Sequence, residues 1–144
     1  MSSISRTITR IMVAAMLLTG LSAASVHADS SAAVVTRLDG KASVFTKGGK
    51  DGKPLKKHDM ILKGQEVKVG EKSRIELKYP DGTVMRFAEW STIKIDDITY
   101  DSRTQSKKVK VDLGGGKLWA NVKKLVTSDS KVEVKTVNAV AGVR

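Results

Sequence analysis

Apolar and polar residues alternate with a period of two along most of the chain beyond residue 28. The run at 73–79 is the clearest: Ile75, Leu77 and Tyr79 point one way, and Arg74, Glu76 and Lys78 the other. Such alternation marks a strand with one buried face. The pattern returns in Val67/Val69 against Glu66/Lys68, Ile93/Ile95 against Lys94/Asp96, and Val109/Val111/Leu113 against Lys110/Asp112. Leu118, Ala120 and Val122 share a face in the segment 117–122, and Val132/Val134 alternate with Glu133/Lys135. Turn chemistry separates the runs. Asp39–Gly40 supplies the positive φ of a two-residue turn and predicts a hairpin between 34–38 and 41–46. The loop 47–53 (KGGKDGK) runs into Pro54, which cannot donate to a ladder. Further turns are expected at Gly70–Lys72, Pro80–Gly82, Ala88–Ser91, 101–107 and Gly114–Gly116. No window beyond residue 28 has a helical period, and no strict repeat recurs at a fixed spacing. The expected class is an all-β, antiparallel-rich domain: sandwich, barrel or solenoid.

The first 28 residues carry a different pattern. Arg6 and Arg10 precede eleven mostly apolar residues at 11–21 (IMVAAMLLTGL). A membrane-spanning helix needs about 20 apolar residues, so this run fits the apolar region of a secretory signal. Val26–His27–Ala28 places small or aliphatic residues at the cleavage positions. Cleavage is expected after Ala28, giving a signal peptide at 1–28, a β domain at 29–144, and a periplasmic or secreted protein. No second long apolar run follows, so no transmembrane span is expected in the mature chain.

The chain has 144 residues, 26 Lys+Arg against 15 Asp+Glu, and no cysteine. Disulfides, zinc-thiolate sites, thiol nucleophiles and a lipidated cysteine are therefore excluded. Its formal charge of +11 invites a nucleic-acid reading. Position argues otherwise: two basic stretches, at 47–74 and 103–124, flank an acidic one at 75–102. Basic and aromatic residues do not interleave as single-strand binding requires, and an exported protein does not meet chromosomal DNA. Most of the basic residues fall at outward strand positions or in loops, where they serve solubility and edge protection. The sharper alternative is an anion or partner contact formed by Lys107, Lys108, Lys110, Lys123 and Lys124.

Candidate catalytic and metal chemistry is thin. His58–Asp59 is the one adjacent acid–base pair, yet sequence neighbours on a strand point to opposite faces. Asp96–Asp97 offers oxygens to a divalent cation without the further ligands such a site needs. Gly114–Gly115–Gly116–Lys117 lacks the Ser/Thr and following helix of a phosphate loop, since Leu118 comes next. No cofactor, metal or enzymatic activity is expected. Trp90 and Trp119 are expected in the core, because other large side chains are scarce.

Four segments in order resemble the FecR domain of bacterial envelope proteins. They are residues 34–45 around Gly40; residues 54–77 (PLKKHDMILKGQEVKVGEKSRIEL); residues 79–95 (YPDGTVMRFAEWSTIKI); and 111–122 (VDLGGGKLWANV) joined to 132–144 (VEVKTVNAVAGVR). His58–Asp59 and Gln65–Glu66 stand where the family often has Gly-Asp, and Val137–Asn138 replaces its Pro-Thr. The sequence stops at Arg144 where the family continues with Gly-Thr, so a fragment or a truncated reading frame is expected. The resemblance implies a compact, twisted solenoid-like or sandwich domain acting as an envelope binding or signalling module. It does not carry over the sigma-factor segment and membrane helix that precede the domain in the best-known iron-uptake regulators. The expected partner is an envelope protein met through the loops 47–53 and 101–108; the alternative is anionic lipid or polysaccharide.

Overall fold

The computed structural model describes residues 31–143; the expected signal peptide lies outside them. Twelve strands follow in chain order: β1 Ala32–Asp39, β2 Ala42–Phe45, β3 Lys53–Pro54, β4 Met60–Leu62, β5 Glu66–Val69, β6 Arg74–Lys78, β7 Val84–Phe87, β8 Thr92–Asp101, β9 Ser106–Gly115, β10 Leu118–Asn121, β11 Lys131–Thr136 and β12 Val140–Val143. They form two sheets, ordered β10-β7-β6-β1-β4 and β12-β11-β9-β8-β5-β2-β3. Pairing is antiparallel except for β11 beside β9. The all-β expectation holds, and the two sheets do not close into a barrel.

The alternating apolar residues of both sheets meet in one core. Val35, Ile61, Ile75, Leu77, Met85 and Phe87 come from the five-stranded sheet; Val67, Ile93, Ile95, Ile98, Val109 and Val111 come from the other. All are at most 2% exposed. Burying a side chain of this size contributes roughly 1.5–3 kcal/mol, so this shared layer is what holds the sheets together.

The expected hairpin at Asp39–Gly40 does not form. β1 pairs with β4 and β6, whereas β2 pairs with β3 and β5. The glycine therefore serves a crossing from one sheet to the other. Its φ is +88°, and a Cβ there would sit 3.0 Å from the Ser73 Cα and closer still to the Ser73 side chain. Three more crossings fall at the same rim: after β5 at Gly70, after β7 at 88–91, and after β9 at Gly116. Hydrogen bonds tie them together. Gly70 N–H donates to the Lys41 carbonyl (2.9 Å), Trp90 N–H to Val69 (3.1 Å) and Ala88 N–H to Lys117 (3.0 Å). The buried Ser73 hydroxyl accepts from Lys41 N–H (2.8 Å) and donates to the Glu71 carbonyl (2.8 Å). The turn signals were thus correctly placed, but four of them change sheets.

The opposite rim is held by charge. Asp81, in the β6–β7 turn, accepts from the Lys107 ammonium of β9 at 2.9 Å, and the two side chains are 1% and 4% exposed. Thr83 donates its hydroxyl (2.6 Å) and backbone N–H (3.1 Å) to the same carboxylate. Lys107 also donates to the Lys123 carbonyl at 2.8 Å. One carboxylate thereby joins the two sheets and the segment following β10.

Candidate functional site

The outer face of the five-stranded sheet carries a row of side chains running across the strands. Strand register places Trp119 beside Arg86, Arg86 beside Glu76, and Glu76 beside Arg37. Period-two alternation turns Trp119, Arg86 and Glu76 outward while Ile75, Leu77, Met85 and Phe87 face the core. A bulge in β1 shifts the register between Val35 and Arg37. It turns Arg37 to the same side as Thr36, whose hydroxyl donates to Glu76 Oε1 at 2.7 Å. Arg86 Nε donates to the other carboxylate oxygen at 2.6 Å. The Arg86 guanidinium lies over the Trp119 ring, 4.7 Å from its centroid, within the range of a cation–π contact. The Thr36 hydrogen bond, and then that of Arg86, hold the Glu76 carboxyl below the ordinary glutamate value. Arg37 Nε donates to Asp39 at 2.8 Å at the end of the row.

A second tier lies between this row and the rim. Asp39, Arg74, Ala88 and Lys117 line both the groove that contains Trp119 and the adjoining one that contains Trp90. Neither Arg74 nor Lys117 has a carboxylate within salt-bridge distance among the described residues. Trp90 has φ +61°, a left-handed backbone that a bulky residue rarely adopts. The rim hydrogen bonds hold it there with the residue 65% exposed; Trp119 is 51% exposed. Both tryptophans thus stand outside the core where they were expected. The core is filled instead by Ile, Val, Leu, Met, Phe87 and Tyr79. The alternation itself carried the signal for Trp119, since Leu118 and Ala120 share the opposite face. Nothing in the sequence marked the β1 bulge or the Trp90 conformation.

The five lysines proposed from sequence do not form one exposed cluster, although Lys107 reaches the Lys123 carbonyl. Lys107 is buried against Asp81, so its charge is satisfied inside the domain. Lys108 and Lys110 are exposed, but share a depression with Asp97, Asp129 and Glu133. Lys110 lies 3.8 Å from Glu133, and Lys131 also pairs with that carboxylate. Lys123 and Lys124 are exposed in the segment after β10. His58 occupies a tight turn at φ +76° and donates its backbone N–H to the Val35 carbonyl. The Asp59 carboxylate accepts from Lys56 N–H at 2.8 Å. Asp96 and Asp97 pair separately with Lys94 and Lys63 at 3.1 and 3.0 Å. Gly116–Lys117 leads into β10, not a helix.

The family model described as FecR protein matches residues 65–144. The chain belongs to the FecR family. The matched segment runs from β5 to the end and contains Arg74, Glu76, Arg86, Trp90, Lys117 and Trp119. It leaves β1 outside, although β1 lies between β6 and β4 and supplies Thr36 and Arg37 to the row. No curated protein and no solved structure matches the chain. Membership in the FecR family points to a signalling or regulatory module.

Proposed function

We propose that this FecR-family domain is a non-enzymatic binding or signalling module of the cell envelope, exported by residues 1–28, and that the tryptophan-bearing rim is its contact face. Export rests on the Arg6/Arg10 flank, the apolar run at 11–21 and the Val26–His27–Ala28 cleavage pattern. The observation that carries the contact face is Trp119, half exposed under a guanidinium that Glu76 fixes in place. Exposed tryptophan beside ordered arginine is the composition of binding hot spots. Contact in place of catalysis is favoured because His58 serves a turn and Asp59 holds a backbone amide.

A photo-crosslinking residue placed at 119 in the full chain, expressed in a bacterium with an outer membrane, tests this. Position 119 should form adducts in the envelope fraction, while position 108, on the other sheet, should form none. Equal adducts from both positions would overturn the assignment. Intact mass of the recovered protein should begin at Asp29; a retained Met1 would overturn export.

A further inference from the structure

We propose that the rim shelf binds an acidic glycan, with its sugar rings against Trp90 and Trp119 and a carboxylate drawn to Arg74 and Lys117. The proposal rests on the shelf being the contact face. Its first support is direction. Trp119, Arg86, Glu76 and Arg37 come from four different strands, so the row lies across the sheet. A ligand along that row crosses the strands instead of lying alongside the free edge of β10, and so gains no main-chain ladder, unlike a peptide that adds a strand. Side chains alone must hold it.

The second support is the kind of side chain. Exposed indoles present flat apolar surface with a polar N–H edge, at Trp90 and at the part of Trp119 that Arg86 leaves uncovered, which suits the C–H face of a pyranose. Beside them, Arg37–Asp39 and Arg86–Glu76 set donors and acceptors in fixed alternation, with N–O distances of 2.8 and 2.6 Å. Neighbouring sugar hydroxyls donate and accept at once, and so match such pairs. The third support is residual charge. Arg74 and Lys117 line both halves of the shelf without a carboxylate partner among the described residues. A planar guanidinium takes a carboxylate through two parallel hydrogen bonds.

Both tryptophans of the chain stand on this shelf, so intrinsic fluorescence reports the site. The full chain is titrated with hexagalacturonate, with maltohexaose as the uncharged comparison and hexaglutamate as a peptide of equal charge. Hexagalacturonate should bind saturably with a fluorescence change, at least about tenfold tighter than either comparison, a difference of about 1.4 kcal/mol. Arg74→Ala and Lys117→Ala should each weaken it several-fold, while the double variant Lys108→Ala/Lys110→Ala should leave it unchanged. Circular dichroism and thermal unfolding confirm that each variant is folded. Equal binding of maltohexaose would overturn the acidic class. Equal or tighter binding of hexaglutamate would overturn the glycan and assign the shelf to acidic protein. Loss of binding only in the Lys108/Lys110 variant would move the site to the other sheet. Absence of all binding overturns the glycan; the crosslinks from position 119 then decide separately whether the shelf is a contact face.

Discussion

Replacing Lys107 with methionine removes one charge from a pair closed off from solvent. The aliphatic stem is kept, so packing changes little. Asp81 is left 1% exposed with only the two Thr83 donors, and the Lys123 carbonyl loses its 2.8 Å donor. Breaking a buried pair from one side costs roughly 3–5 kcal/mol, because the remaining charge stays buried. At about 4 °C per kcal/mol for a domain of this size, Tm should fall by about 12–20 °C. Asp81→Asn removes the opposite charge and should also destabilise. In the double variant neither charge is stranded, so its loss should be smaller than the sum of the single losses by about 2 kcal/mol. Urea unfolding of the four proteins supplies the cycle. Exposed pairs weaken with salt, but this coupling should persist at 0.5 M NaCl, a concentration at which the Debye length is only about 4 Å. A Tm within about 3 °C of the parent for Lys107→Met, or a coupling below about 0.5 kcal/mol, would show that the pair does not join the sheets.

Other outcomes follow from single positions. Gly116→Ala places a methyl 2.6 Å from the Ser91 Cα at φ +86°. It should destabilise by more than Gly48→Ala, which has the same handedness at φ +79° but meets nothing within 4 Å. Thermal unfolding compares the two, with about 1 kcal/mol expected for Gly48→Ala. Tyr79→Phe removes a buried hydroxyl that has no hydrogen-bond partner, so unfolding should show no loss or a gain of about 1 kcal/mol. Burial, and then the nearby Asp81 charge, push the Tyr79 phenol well above its ordinary 10.0, so spectroscopic titration of the folded protein near pH 11 should leave Tyr79 un-ionised. The Glu76 carboxyl is held below the ordinary 4.5, so it adds stability that is complete above that value and lost as pH falls through the lower, folded one. The advantage of the parent over Glu76→Gln should therefore be constant near neutrality and shrink in acid, as read by urea unfolding.

The longer strands were legible because they bury one face, and period-two alternation records that directly; β3 and β12, exposed throughout, and the three-residue β4 carry no such record. Ile75/Leu77, Ile93/Ile95 and Val109/Val111 all stand inside as the pattern requires. Pairing was not legible. Asp39–Gly40 has hairpin chemistry, but positive φ serves a crossing between sheets equally well, and the partners of β1 lie 26 to 44 residues away. Local turn preference cannot see those partners. Asp81 looked like a turn residue for the same reason: its tie to Lys107 is long-range, and only burial makes the pair costly to break. Lys107 looked like surface charge because lysine usually is. The rim shelf was half legible. Arg74, Glu76, Arg86 and Trp119 all fall on outward positions of alternating strands, whereas the register that aligns them depends on three strand pairings and the β1 bulge. Scarcity of aromatics pointed both tryptophans inward; the aliphatic core proved sufficient without them.

Amide NMR of the labelled domain, titrated with hexagalacturonate, locates contact residue by residue. Shifts should concentrate at Arg37, Arg74, Glu76, Arg86, Trp90, Lys117 and Trp119, together with both indole N–H signals, and leave Lys108 and Lys110 unmoved. Shifts centred on Lys108, Lys110 and Lys131, with the indole signals unchanged, would contradict the tryptophan shelf as the binding face.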